Sequence, residues 1–172
     1  MNIGILGAGS WAIALAVLLH KKGHHISMWE FNRADAEMLK EKREHPVKLP
    51  GIMLSDDIDI DTDIDRVISG ADYIVCAVPS QFMRSAMKHL VTAVSKDKIA
   101  AVKGWVIVSK GIETQSLKLM TDVIAEELPA VGEDKLVVLS GPSHAEEVSR
   151  EMPTTVVVAS VNIDLATIIQ DA

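Results

Sequence analysis

The chain has 172 residues, of which 48% are hydrophobic and 24% charged, and a formal net charge of −7; this is the size of one domain that buries roughly 70% of its unfolded surface. The negative balance argues against a nucleic-acid partner or an acidic membrane surface, while a few backbone N–H groups can still hold an anionic ligand. The single cysteine, Cys76, excludes an internal disulfide and suits a reducing compartment, and the apolar run Ile13 to Leu19 falls short of the roughly 20 residues that span a bilayer, so the expectation is a cytoplasmic chain with no membrane span.

Short β-rich runs alternate with longer helical patterns. Asn2–Leu6 reads as a strand and Ser10–Lys22 as a helix stopped by Gly23. His25–Trp29 is a second strand, and Arg33–Glu44 has helical periodicity with dense surface charge. Pro46, Pro50 and Gly51 mark Glu44 to Ser55 as a loop. Asp72–Val78 reads as a buried strand stopped by Pro79, with a helix over Ser80–Val94. Trp105–Ser109 is the next strand, after a Lys103-Gly104 pair read as loop, and Ser116–Leu128 the next helix. Leu136–Ser140 and Thr154–Ser160 are further strands around a short helix, Ser143–Arg150. The closing "DLATIIQDA", which ends at Ala172, reads as a helix cut at a truncation point or a domain boundary. Strands alternating with helices imply βαβ units in an α/β, doubly wound and mainly parallel sheet, with the ligand crevice at the strand C-termini. Residues 1–172 are accordingly expected to form one dinucleotide-binding domain.

The acidic stretch "DDIDIDTDID", Asp56 to Asp65, invites a metal reading. A calcium loop wants glycine after the third ligand and a closing glutamate, but Ile64 and Gly70 stand in those slots. The expectation is therefore a short edge strand, Ile58–Ile60, then a helix capped by Asp61 or Thr62, and no metal.

Chemistry enters with "GAGSWA". Gly7, Gly9 and Ala12 form G-x-G-x-x-A between a strand and a helix. The first glycine permits a tight turn, the second admits a pyrophosphate close to the backbone, and the third slot needs only a small side chain for helix–strand packing. Free N–H groups at the helix start then face the phosphates, aided by the helix dipole. Glu30 ends the second strand, 21 residues after Gly9, where a carboxylate accepts hydrogen bonds from ribose hydroxyls and repels a 2′-phosphate. That pattern favours NAD over NADP, although Arg33 offers a cation nearby and NADP stays open. A glycine turn of this kind also serves as a plain corner of an α/β sheet with no ligand.

Two later stretches fall just past strand ends. "SKGIE" places Lys110 at the expected crevice, where an ammonium can hold a substrate hydroxyl or phosphate; an exposed surface lysine is the plain alternative. "SGPSHAEEV" places Gly141 and Ser143 in a turn before a helix start, suited to binding oxygen atoms. His144 in that turn reads as a solvated or capping histidine.

These stretches, with "LPGIMLS" (Leu49–Ser55), "VPSQFMR" (Val78–Arg84) and "LSGPSHAEEVSREMPTTVVVAS" (Leu139–Ser160), resemble the N-terminal half of the NAD(P)-dependent glycerol-3-phosphate dehydrogenases. The resemblance implies interconversion of sn-glycerol 3-phosphate and dihydroxyacetone phosphate, in supply of phospholipid synthesis. It implies that Ser10 and Trp11 line the pyrophosphate, and that Phe31 and Phe82 flank the adenine and nicotinamide sides. Lys110 is implied to contact substrate and cofactor as the catalytic residue in this chain, Gly141 and Ser143 the substrate, and Ala145 the cofactor. A small phosphorylated substrate and a homodimer of the full-length enzyme also follow from the family.

Three departures stand beside it. Ala12 replaces the family's usual glycine, and "HPVK" (His45–Lys48) stands where the family has Asn-x-x-Tyr or Phe. The family's helical C-terminal domain has no counterpart in these residues, so the second catalytic lysine, which acts as general base, is expected beyond Ala172. Two other readings stay open: a hydroxy-acid dehydrogenase of similar architecture, and a non-catalytic dinucleotide-binding or regulatory module.

Overall fold

A computed structural model describes residues 1–172. In chain order the elements are β1 (Asn2–Leu6), α1 (Ser10–Lys21), β2 (His25–Trp29), α2 (Arg33–Lys42), β3 (Glu44–His45), β4 (Leu49–Met53), β5 (Asp59–Asp61) and α3 (Ile64–Ser69). There follow β6 (Tyr73–Cys76), α4 (Ser80–Ala93), α5 (Lys96–Ala101), β7 (Gly104–Ile107) and α6 (Met120–Glu127). A 3₁₀ turn (Glu133–Lys135), β8 (Leu136–Ser140), α7 (Ala145–Val148), β9 (Val157–Ala159) and α8 (Ile163–Asp171) complete it. No helix is long and apolar enough to cross a membrane.

The main sheet runs β5-β2-β1-β6-β7-β8-β9. All neighbours are parallel except β8 and β9. Its first six strands reproduce the 3-2-1-4-5-6 order of doubly wound dinucleotide folds, so the direction of winding reverses between β1 and β6. Central strands are buried on both faces, as helices on both sides of a parallel sheet require. Tyr73 and Val75 face the core shared by α1 and α8, while Ile74 and Cys76 face the one built on α4 and α6. The alternation is the two-residue period of a strand, used on both sides. Cys76 is fully buried and its thiol is pushed up to about 12 by loss of solvent, so it is chemically inert.

Local chemistry sets the boundaries. Gly23, at φ 87°, ends α1 as expected: its N–H donates to His20 O and that of His24 to Leu19 O, a Schellman closure. The segment expected as loop after α2 is instead a two-stranded antiparallel ribbon, β3 with β4. Three contacts organise it: the Gly51 N–H donates to the Glu44 carboxylate, and His45 Nδ1 accepts from the Val47 and Lys48 amides. Proline and glycine signalled the break but not this side-chain bracing. The edge strand expected at Ile58–Ile60 lies one residue on, and Asp63, rather than Asp61 or Thr62, caps α3 by accepting from the Asp65 N–H. Asp61 and Asp63 also pair with Arg66, and Asp65 with Lys98, so the acidic stretch serves caps and ion pairs. Gly104 opens β7 instead of lying in a loop, and Lys103 pairs with Asp72. The helix expected from Ser116 starts at Met120, because Leu117 takes a left-handed φ of 58° and breaks the spiral. The short helix expected over Ser143–Arg150 narrows to α7. At the end of the chain, the helix expected from "DLATIIQDA" is α8, and Ala172 closes it by donating its N–H to Ile168 O at 3.2 Å.

One ion-pair network fixes the loop after β7. Arg84, on α4, gives two N–H groups to Glu113 at 2.8 and 2.9 Å, and others to Glu127 at 2.6 Å and Glu126 at 2.9 Å. A planar guanidinium with five donors suits this three-carboxylate geometry. Beside it, Gln81 donates to Ile112 O at 2.8 Å and accepts from both the N–H and hydroxyl of Thr114. The segment carrying Lys110 is thereby tied to α4.

The hydrogen bonds from Arg84 and Ser116 hold the Glu113 carboxyl at about 2, down from 4.5. A depressed folded-state value stabilises the fold above pH 4.5, and that contribution is lost as pH falls from 4.5 through 2. Arg84→Met is therefore expected to lower the urea midpoint at pH 7 and to fall closer to the parent as pH approaches 2.5. A gap between parent and variant that stays constant across that range contradicts the assignment.

Candidate functional site

Between the C-terminal ends of β1 and β6 a cleft of about 600 Å³ opens, with Gly7, Gly9, Glu30, Phe31, Lys48 and Phe82 in its walls. It lies at the switch point, where open α/β sheets bind ligands, and its volume is in the range of small-molecule and cofactor sites.

Gly7 takes φ 107°, and its N–H donates to Trp29 O at 2.8 Å. A Cβ there would stand 3.3 Å from the backbone of Ala77 and Val78, so the turn after β1 packs directly on the turn after β6. Gly9 differs. It occupies the N-cap of α1, and a Cβ added to it meets nothing within 4 Å. No side chain caps this helix end and its first turn has no acidic residue. The amide N–H groups there keep their partial positive charge and are offered to an outside acceptor. Ala12, one turn on, is fully buried, which explains why alanine serves in the third slot.

Glu30 sits at the far end of this cleft and is 8% exposed. One carboxylate oxygen accepts from the Asn32 N–H at 2.8 Å, and the other stands 3.5 Å from Lys48 Nζ. Asn32 itself caps α2 by accepting from Ala34 and Asp35 amides. Lys48 also donates to Asp35 at 3.0 Å, a bond that holds the Asp35 carboxyl below its ordinary value. Arg33 lies away from this group, 85% exposed and paired with Glu37 along α2. Phe31 is exposed at the cleft wall, edge-on to Trp29, which stacks with His89 at 5.8 Å.

A second cluster forms at the ends of β7 and β8. Lys110 Nζ donates to Ser143 O at 2.9 Å and to Gly141 O at 3.3 Å, which joins "SKGIE" to "SGPS". Ser143 is buried, and its N–H donates to Gly141 O at 2.9 Å. A Cβ on Gly141 would stand 2.6 Å from Thr155 O, so this glycine is required for close approach of the strand leading into β9. Ser109 locks the base of the loop by donating to the Cys76 and Val78 carbonyls.

The sequence-derived residues thus fall into groups. Gly7, Gly9, Glu30, Phe31 and Phe82 share the cleft, and Ser10 begins the uncapped helix above it. Lys110, Gly141 and Ser143 share the second cluster. The Trp11 side chain instead lies in a groove with Leu139, Val148 and Met152, leaving its backbone as the part at the helix start. Ala145 is buried in the core that α1 and α7 share, and His144 is solvent-exposed with no capping bond. Ala172, past which the second catalytic lysine is expected, belongs to neither group: it ends α8 and borders an apolar groove with Leu18, Val157 and Ile169. Lys48 and His89 escaped the sequence reading. For His89 a signal existed: Phe82, Ser85, Ala86 and His89 follow helical spacing and form one wall. Lys48 depends on the ribbon, which the sequence presented as loop.

Residues 2–166 match the family model described as NAD-dependent glycerol-3-phosphate dehydrogenase N-terminus. Among curated proteins, the chain is 42% identical over 171 residues to a glycerol-3-phosphate dehydrogenase of the NAD(P)+ type from Fusobacterium nucleatum, covering 99% of this chain and 49% of that protein. It is 45% identical to the corresponding Prosthecochloris aestuarii protein, covering 99% and 50%. Among solved structures, glycerol-3-phosphate dehydrogenase from Coxiella burnetii superposes with a TM-score of 0.86 at 28% identity, covering 99% of this chain and 50% of that one. The chain spans about half the length of the curated relatives it matches.

Gly9→Ser separates folding from binding at the helix start. Serine is a preferred N-cap, so the variant is expected to unfold within about 1 kcal/mol of the parent or above it. Its side chain enters the open space and competes for the amides, so NADH affinity measured by calorimetry is expected to fall about tenfold or more. Unchanged NADH affinity contradicts a role for these amides.

Proposed function

Because the chain belongs to the NAD-dependent glycerol-3-phosphate dehydrogenase family, we propose that residues 1–172 are the cofactor-binding domain of an enzyme interconverting sn-glycerol 3-phosphate and dihydroxyacetone phosphate. The observation that carries this reading is the uncapped start of α1 at the switch point, in one cleft with a buried acid, Glu30. Gly7, Gly9, Ser10 and the Trp11 backbone hold the pyrophosphate, with Ala12 closing the helix onto the sheet. Glu30 accepts from the adenosine ribose hydroxyls, which favours NAD. Phe31 serves the adenine side and Phe82 the nicotinamide side. The bound nicotinamide supplies the hydride acceptor or donor.

Lys110 is assigned the reacting oxygen of the substrate. Two of the three ammonium donors are taken by the Ser143 and Gly141 carbonyls, and one is left to stabilise negative charge developing on that oxygen. Ser143 and the Gly141 turn bound the substrate side, and Ala145 supports the cofactor side from the core. The general base is assigned, as the family resemblance implies, to a second lysine in a helical second half of the full-length enzyme. The full-length enzyme is accordingly read as a two-domain protein, assembling as a homodimer, with a small phosphorylated alcohol as substrate.

Two measurements test this. The 172-residue chain is expected to bind NADH yet show no glycerol 3-phosphate-dependent change in absorbance at the nicotinamide band. In the full-length protein, Lys110→Ala is expected to lower kcat by about a hundredfold or more while leaving NADH affinity within about threefold. Full activity in that variant removes Lys110 from the site, and NADH binding without any response to glycerol 3-phosphate in the full-length protein favours a sensor module.

A further inference from the structure

We infer that Lys48 sets the cofactor choice of this chain, its ammonium offsetting Glu30 and offering N–H donors to a 2′-phosphate, so that NADP is admitted beside NAD. The inference rests on the dinucleotide reading above and deepens it. An unopposed carboxylate at the end of β2 excludes a 2′-phosphate by charge repulsion, whereas a nearby cation accommodates one. Here the carboxylate is opposed. Lys48 Nζ lies 3.5 Å from one Glu30 oxygen, and the other oxygen is occupied by the Asn32 N–H.

The position of Lys48 is built from below. His45 is 5% exposed, and its Nδ1 accepts from the Lys48 amide at 3.1 Å and the Val47 amide at 3.3 Å. An acceptor Nδ1 puts the ring proton on Nε2, which stands 3.8 Å from Asp35. The ring therefore does the turn-bracing that an asparagine side chain can also perform, and the fourth residue of the turn is delivered into the cleft. In this chain that residue is a lysine and not an aromatic. Its ammonium makes one hydrogen bond, to Asp35 at 3.0 Å, and keeps donors for an incoming anion while its stem is only partly exposed. Arg33, the cation closer in sequence, is committed to Glu37 on the solvent side of α2. The groups facing Lys48 are thus the carboxylates of Glu30 and Asp35 and the imidazole of His45, and Lys48 is the cation that the cleft contains.

The test uses the 172-residue chain, with NADH and NADPH titrated calorimetrically into the parent, Lys48→Met, Lys48→Arg and Arg33→Met. Lys48→Met is expected to weaken NADPH by about tenfold or more and NADH by less than about threefold, the loss of one charge-assisted contact. Lys48→Arg is expected to restore NADPH binding, which also shows that the fold survives substitution at this position. NADPH affinity unchanged in Lys48→Met, equal losses for both cofactors, or a selective loss that appears only in Arg33→Met overturns the assignment. A parent chain that binds neither nucleotide fails the dinucleotide reading itself, and Lys48 falls with it.

Discussion

A helix that begins without a cap leaves several amide N–H groups unsatisfied, a state that folded proteins tolerate only where water or a ligand completes them. α1 begins this way, at the centre of the sheet, with glycine at its N-cap and no acid in its first turn. Much of the surrounding architecture keeps that end open. Gly7 packs the preceding turn against Ala77 and Val78, Ala12 seats the helix on the sheet, and the winding reversal between β1 and β6 leaves a cleft above. The unsatisfied amides are thus a feature that the fold positions, and an anion is what they suit.

Around this opening the chain distributes its charges by ends. At one end Glu30, Asp35 and Lys48 form a compact group, braced by a buried imidazole. Near the ends of β7 and β8, Lys110 is held by two backbone carbonyls instead of a carboxylate. Lys110, paired to carbonyl dipoles, keeps its net charge, whereas Lys48 shares its charge with Glu30 and Asp35 and keeps N–H donors free. The Arg84 network behind it absorbs Glu113, Glu126 and Glu127, so those acids stay away from Lys110. A net charge of −7 is compatible with two anion-receptive points because both act locally.

What the sequence made legible was whatever has a period or a fixed spacing. The strand and helix alternation, G-x-G-x-x-A and the acid 21 residues on all depend on near neighbours along the chain, and their elements fall within a few residues of expectation. Where side chains brace the backbone across a gap, the pattern along the chain carries no signal. The ribbon of β3 and β4 depends on His45 and Glu44 reaching neighbouring amides, and the late start of α6 depends on one left-handed residue. The same limit hid Lys48, which enters the cleft only because that ribbon exists. Gly141 was legible as a special position, but its partner is the chain's own Thr155, which only the pairing of β8 with β9 brings near.

The central claim is that the free amides of the α1 start receive a dinucleotide. Backbone amide shifts of the uniformly ¹⁵N-labelled chain, followed by NMR during titration with NADH, test it most directly. The amides of Gly9, Ser10, Trp11 and Ala12 are expected to move together, saturably, with those of Glu30 and Phe31 following the same curve. Shifts confined instead to the apolar groove of Leu18, Leu139 and Val156, with the α1 start unmoved, would contradict it.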